Sequence, residues 1–140
     1  MTTSRSNMQR FGIQVVHAVC TLCATSVLAA ETIAENIPVP SGQTLSFIEF
    51  ITEAEGDILR FRFLAPEIGI AFDYMDVVPD FQMVCDEHVM PVLDENALAP
   101  SQIVLSMSAM DIPFGEDNPD VLQFFEIFRP ENGTCIWEEF

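Results

Sequence analysis

The chain has 140 residues, enough for one domain with a sizeable core, and 49% of them are hydrophobic, 12 being phenylalanine. Its 22 carboxylates outnumber five basic residues, all arginine, for a formal charge of −17. Such an apolar content excludes a disordered chain. A charge of this sign excludes nucleic acid and anionic membrane surfaces as partners and favours cations and basic proteins.

The first 30 residues have the three-part grammar of a secretory signal peptide. Met1 to Arg10 is polar and carries Arg5 and Arg10, Phe11 to Leu28 is mostly apolar, and small residues follow at Ala29-Ala30. Val27-Leu28-Ala29 offers one cut and Thr32-Ile33-Ala34 a second, so cleavage is expected between Ala29 and Ala34. Gln14, His17, Thr21, Thr25 and Ser26 make this run a poor bilayer core. The expected product is periplasmic or secreted, with no stable membrane insertion. From Glu31 onward three arginines stand against all 22 carboxylates, a balance of −19. Cys20 and Cys23 lie inside the export segment, where they read as small hydrophobes rather than a redox pair. Cys85 and Cys135 remain, in an oxidising compartment that favours their union.

Residues 31–43 read as an extended linker, because Pro38 and Pro40 forbid helix there. A single α+β domain over 44–140 follows. Thr44 to Glu53 is β-branched and aromatic, hence a strand, and Ala54-Glu55-Gly56 is a turn. Asp57 to Leu64 alternates, with Leu59, Phe61 and Phe63 on one face and Arg60 and Arg62 on the other. Pairing Glu49 with Arg62 and Phe50 with Phe61 is the register that leaves no carboxylate unpaired on the apolar face. Ala65-Pro66 ends that strand. The spacing of Val77, Phe81, Val84, Cys85 and His88 predicts a helix over Asp76 to Pro91, capped by Asp76 and stopped by Pro91. Asp94 to Pro100 is a loop, and Ser101 to Ala109 is a strand with Ile103, Leu105 and Met107 inward. Asp111 to Asp120 is an irregular acidic loop, with Asn118-Pro119-Asp120 a good start for one helical turn. Val121 to Phe140 predicts a hairpin turning at Asn132-Gly133, the strongest short-range turn signal. Its first strand, with Leu122, Phe124, Phe125, Ile127 and Phe128, is apolar on both faces and belongs inside the sheet. If the helix packs on the face that Cys135 shares with Trp137, Cys85 and Cys135 meet in a disulfide.

No residue is assigned a catalytic role. His88 is the one histidine beyond the export segment, and no serine sits in a G-x-S-x-G elbow. A lone histidine at the edge of an apolar helix face is a packing residue before it is a base. His88-Val89-Met90, Met107 and Met110 offer soft metal ligands, yet positions 107 and 110 of one strand face opposite sides, so neither metal nor cofactor is expected. The loop Gly115 to Asp120 lacks the spacing of a calcium loop and reads as solvated. Arg60 and Arg62 project together from one strand and, with His88, are the candidates for ligand contact; pairing with Glu49 and other carboxylates is the simpler role.

Pro38 to Gln43, Leu59 to Phe63 with Ala65-Pro66, Cys85 with Met90-Pro91, Gln102 to Leu105, Gln123 to Glu126 and Gly133 to Glu138 together carry a resemblance. In these stretches the chain resembles a small family of exported bacterial proteins of unknown function, each a single uncharacterised domain. Its motifs are structural and name no chemistry.

The expected fold is α+β: an antiparallel sheet of about five strands with one principal helix on one face, held by one disulfide. The expected function is that of an acidic, exported, non-enzymatic accessory or interaction module with a protein or small-molecule partner. The alternative is a small periplasmic hydrolase or a metal-handling protein.

Overall fold

A computed structural model describes residues 36–139; the expected signal segment and its cleavage site lie outside them. Five strands form one sheet: β1 (Ser46–Glu53), β2 (Ile58–Leu64), β3 (Gln102–Ser108), β4 (Gln123–Glu131) and β5 (Thr134–Trp137). They lie side by side in chain order. One helical run crosses between β2 and β3 in sequence. It comprises α1 (Tyr74–Val84), a π turn (Cys85–Val89) and α2 (Met90–Glu95). Among the described residues no helix is long and apolar enough to cross a membrane.

The register of β1 on β2 is the expected one, Glu49 opposite Arg62 and Phe50 opposite Phe61, reached through a bulge between Phe47 and Glu49. Alternation then places Leu59, Phe61 and Phe63 inward, all essentially without exposure. Ile103, Leu105 and Met107 from β3, Phe128 from β4, and Val77, Phe81 and Val84 from α1 complete the core. Each fully buried phenylalanine contributes roughly 1.5–3 kcal/mol. The sheet is mixed rather than purely antiparallel, because β2 and β3 run parallel. A strand followed by a helix and a second strand makes a crossover, and a crossover brings the second strand back in the same direction. Residue alternation carries no information about that direction.

The helix differs from its sequence reading at three points. Its cap is Asp73, not Asp76: Asp73 Oδ1 accepts from the Met75 and Asp76 amides at 2.8 and 3.2 Å, while Asp76 Oδ2 accepts from the Asp73 amide at 2.9 Å. Two aspartates three apart close a reciprocal capping box, so the helix begins earlier. Pro91 does not stop the helix either. In the π turn the Met90 amide donates to the Cys85 carbonyl, five residues back, and Pro91 enters α2 at a position where a missing donor costs little. The same turn inserts one residue into the helical phase. The inward positions after Cys85 become Val89, Met90 and Leu93, and His88 is left half-buried instead of on the core face.

Asp80 is fully buried on α1 and anchors the stretch before β1. Its carboxylate accepts from the Ser41 amide and hydroxyl at 2.8 and 2.6 Å and from Gln43 Nε2 at 2.7 Å. From Asn36 onward the proline-rich linker is therefore packed, with Ile37 in the core beside Leu45, which follows the linker.

The hairpin turns where expected, with Asn132 and Gly133 both at positive φ. Asn118-Pro119-Asp120 forms a tight turn, the Val121 amide reaching back to the Asn118 carbonyl at 3.1 Å, and no helical turn follows. Gly69 sits at positive φ against the Leu122 side chain, a backbone conformation that a larger residue would adopt only with strain.

The helix is tied to β5 in two ways. Cys85 and Cys135 are bonded, with Cα atoms 6.0 Å apart and 50 residues of separation. Beside them Asp86 Oδ1 accepts from the Cys135 amide at 2.7 Å and the Thr134 hydroxyl at 2.9 Å, and Gln82 Nε2 donates to the Cys135 carbonyl at 2.9 Å. Burial pushes the Asp86 carboxyl up, but the bonds from Cys135, Gln82 and Thr134 outweigh it and hold it below the ordinary carboxylate range.

Two outcomes are expected. Closing a loop of 50 residues stabilises by about 4 kcal/mol in the chain-entropy account, so Cys135→Ser should lower Tm by more than about 10 °C in a calorimetric scan. Two free thiols titrating in the denatured, unreduced protein would show that the bond is absent. Secondly, a carboxyl held low stabilises the fold above its unfolded value and loses that contribution as pH falls through the folded one. The stability gap between wild type and Asp86→Asn, read by urea unfolding, should be full at neutral pH and narrow below about pH 4.

Candidate functional site

Three concavities border the outer half of the sheet; one of about 230 Å³ lies under the β4–β5 hairpin at Pro130–Gly133, and the other two share Phe125. The larger, about 330 Å³, is lined by Tyr74, Phe125, Glu126, Trp137, Glu138 and Glu139. Glu126 lies between Phe124 and Phe128 on the inward face of β4, opposite Leu105, and is buried. Only a compensated carboxylate is tolerated there. Its two oxygens accept from the Tyr74 hydroxyl at the start of α1 and from Trp137 Nε1 at the end of β5. The Tyr74 ring packs edge-on against Phe124 with centroids 5.5 Å apart. Its hydrogen bond to Glu126, then burial, then the carboxylate's charge push the Tyr74 hydroxyl up to about 12. A buried carboxylate framed by two aromatic side chains and edged by further glutamates is the chemistry of a cation-binding recess.

The smaller concavity, about 150 Å³, lies on the opposite face of the sheet. Arg60 and Arg62 meet there, their guanidinium carbons 5.5 and 5.9 Å from the centre of the Phe114 ring. Both are engaged. Arg60 Nε donates to Glu53 Oε1 at 2.8 Å, and Arg62 reaches Glu49 and the Ile112 carbonyl. The acidic loop thus folds over this face through Ile112 and Phe114 and buries Ser106 and Ser108 of β3, which alternation alone places toward solvent. Phe125 borders both concavities.

The structure brings Arg60 and Arg62 together and leaves His88 apart. His88 sits in the π turn, lines none of these concavities, and its side chain enters none of the hydrogen bonds or ion pairs among the described residues. Met107 is buried and Met110 is 60% exposed, so the two do not converge. Among the described residues no group of three or more His, Cys, Asp or Glu is placed to hold a metal ion. Sequence reasoning missed Tyr74 and Glu126. The signal was present: an acidic residue at an inward position between two phenylalanines of a core strand needs a named partner.

Tyr74 is the chain's single tyrosine, so alkaline absorbance titration reads it alone. Its midpoint should lie near 12 in the folded protein, and Glu126→Gln should bring it back toward about 10. A raised hydroxyl stabilises the fold fully below about pH 10 and loses that contribution as pH rises toward the folded value. A wild-type midpoint near 10 would break the assigned hydrogen bond.

Neither a curated protein nor a solved structure matches this chain. A family model does, over residues 18–140, which takes in every described strand and helix and both cysteines of the disulfide. The chain belongs to that family, a family of unknown function (DUF6497).

Proposed function

We propose that the protein is an exported, non-enzymatic interaction module that binds a basic protein partner through the outer half of its sheet. The observation that carries this reading is the exposed aromatic and aliphatic set there: Phe114, Phe125, Ile136 and Trp137 are each between 38% and 48% exposed. Phe114, Phe125 and Ile136 are exposed on one face of this half and Trp137 on the other, beside Glu126, Glu138 and Glu139. Exposed apolar side chains mark an interaction surface, and a balance of −19 from Glu31 onward selects a basic partner. Export is supported by the signal grammar of residues 1–30 and by a disulfide, which persists in oxidising compartments. A hydrolase would need a base beside a nucleophile, and neither the engaged arginines nor the isolated His88 supplies that pairing.

Two measurements test the reading. Intact mass of the envelope form should place its start near Ala30 or Glu35, and a full-length mass in the membrane fraction would overturn export. A pull-down from the envelope with the mature protein as bait should retain a basic protein that salt releases. Retention no greater than on a charge-matched control protein would overturn the module.

A further inference from the structure

We infer that the outer edge of β4 at Gln123–Phe125 is a docking strand for an extended, basic segment of a partner protein, one cationic side chain of which enters the Tyr74–Glu126–Trp137 recess. This inference rests on the module reading and names where and how the partner binds.

The backbone phase of β4 sets the argument. The Ala109 amide donates to the Leu122 carbonyl at 3.0 Å, and the Glu138 amide to the Ile127 carbonyl at 2.9 Å. Even-numbered residues of β4 therefore turn their backbone groups toward β3, and odd-numbered ones toward β5. β4 has nine residues and β5 only four, paired opposite Phe128 to Glu131. The outward amides and carbonyls of Gln123 and Phe125 point the same way as those of Ile127, yet among the described residues no strand lies beyond them. Native edges are ordinarily blunted by a bulge, a proline or a charge. The bulge of this sheet is on β1, and the proline of β4, Pro130, lies at the end that β5 already covers. Residues 123–125 carry none of the three, and Phe125 is 48% exposed.

The recess opens beside this edge, since Phe125 and Glu126 both line it. Its floor is a carboxylate whose two donors, Tyr74 and Trp137, are neutral. The arginine nearest the rim, Arg129, touches Glu138 at 3.5 Å and bonds Glu131, leaving Glu126 and Glu139 without an arginine partner among the described residues. A strand laid along the edge gains backbone hydrogen bonds from Gln123 and Phe125, and its alternate side chains point to the recess face. Aromatic walls over a carboxylate favour arginine there, whose planar cation stacks as well as pairs. A neutral strand forgoes that contact, and an acidic one is repelled.

The probe is a blocked heptapeptide, Thr-Val-Thr-Arg-Thr-Val-Thr, with counterparts carrying Gln or Glu at the centre. Binding is read by emission of the single tryptophan and by hydrogen exchange of the Gln123 and Phe125 amides. The Arg peptide should slow exchange at both amides and bind about tenfold more tightly than the Gln peptide. Glu126→Gln should reduce that preference. Phe125→Pro, which removes one outward donor, should abolish protection. Exchange on the unaltered protein stands as an independent reading if that variant does not fold. Equal binding of the Arg and Glu peptides would overturn the inference. So would a tryptophan response without amide protection, a response to arginine amide equal to that of the peptide, or no binding by any peptide. If the envelope pull-down retains a partner while the peptides fail, the edge falls and the module stands. Failure of the pull-down removes the module itself.

Discussion

The fold depends on how its last strand is fastened. β5 is four residues long and lies at the margin of the sheet, where a strand has neighbours on one side only. A hairpin of that length has little stability of its own. Here the outward amide and carbonyl of Cys135 go to Asp86 and Gln82, and its sulfur goes to Cys85. Three neighbouring positions of one helix thus satisfy one residue completely. The bond constrains distance, and the polar pair constrains register, since a slip of β5 by one residue would present a different amide to Asp86. β5 in turn supplies Trp137, one of the two donors that make Glu126 tolerable inside the sheet.

The same logic governs the other buried carboxylate. Asp80 on α1 and Glu126 on β4 sit among apolar side chains, and each is met by neutral donors rather than by arginine. Asp80 draws in Ser41 and Gln43, fixing the chain before β1 to the helix. Glu126 draws in Tyr74 and Trp137, joining the helix start to the chain end. With three arginines against 22 carboxylates from Glu31 onward, hydrogen-bond donors rather than cations carry the burial of charge. Arg60 and Arg62 work on the opposite face, where they hold Glu49, Glu53 and the loop at Ile112 over the sheet.

Much of this was legible in the chain. Asn132-Gly133 demanded positive φ and made the hairpin; the clash of Glu49 with an apolar face chose the β1–β2 register; the cysteine pair named the helix and strand that must meet. Three features were not. Direction of pairing is invisible to alternation, so the parallel union of β2 with β3 came only with the crossover. A π turn leaves no periodic mark, and it carried His88 away from the face assigned to it. The partners of Asp80 and Glu126 are 37 or more residues distant from Asp80, and 11 and 52 from Glu126, separations at which local pattern is silent.

The π turn also fixes where the chain tolerates a change of length. It holds one residue more than an α-helix would need to carry the run from Cys85 to Met90. Deleting Glu87 or His88 would restore ordinary winding and leave Phe81, Cys85 and Asp86 on one side of the gap, and Val89 and Leu93 on the other, facing as they do now. One α turn spans nearly the same axial distance as the π turn that it replaces, so the run would keep its length. A deletion elsewhere in the run would rotate one half against the other by about 100° and turn either the sulfur of Cys85 or the core residues of α2 into solvent. In relatives of unequal length, the gap in this helix belongs between Asp86 and Val89.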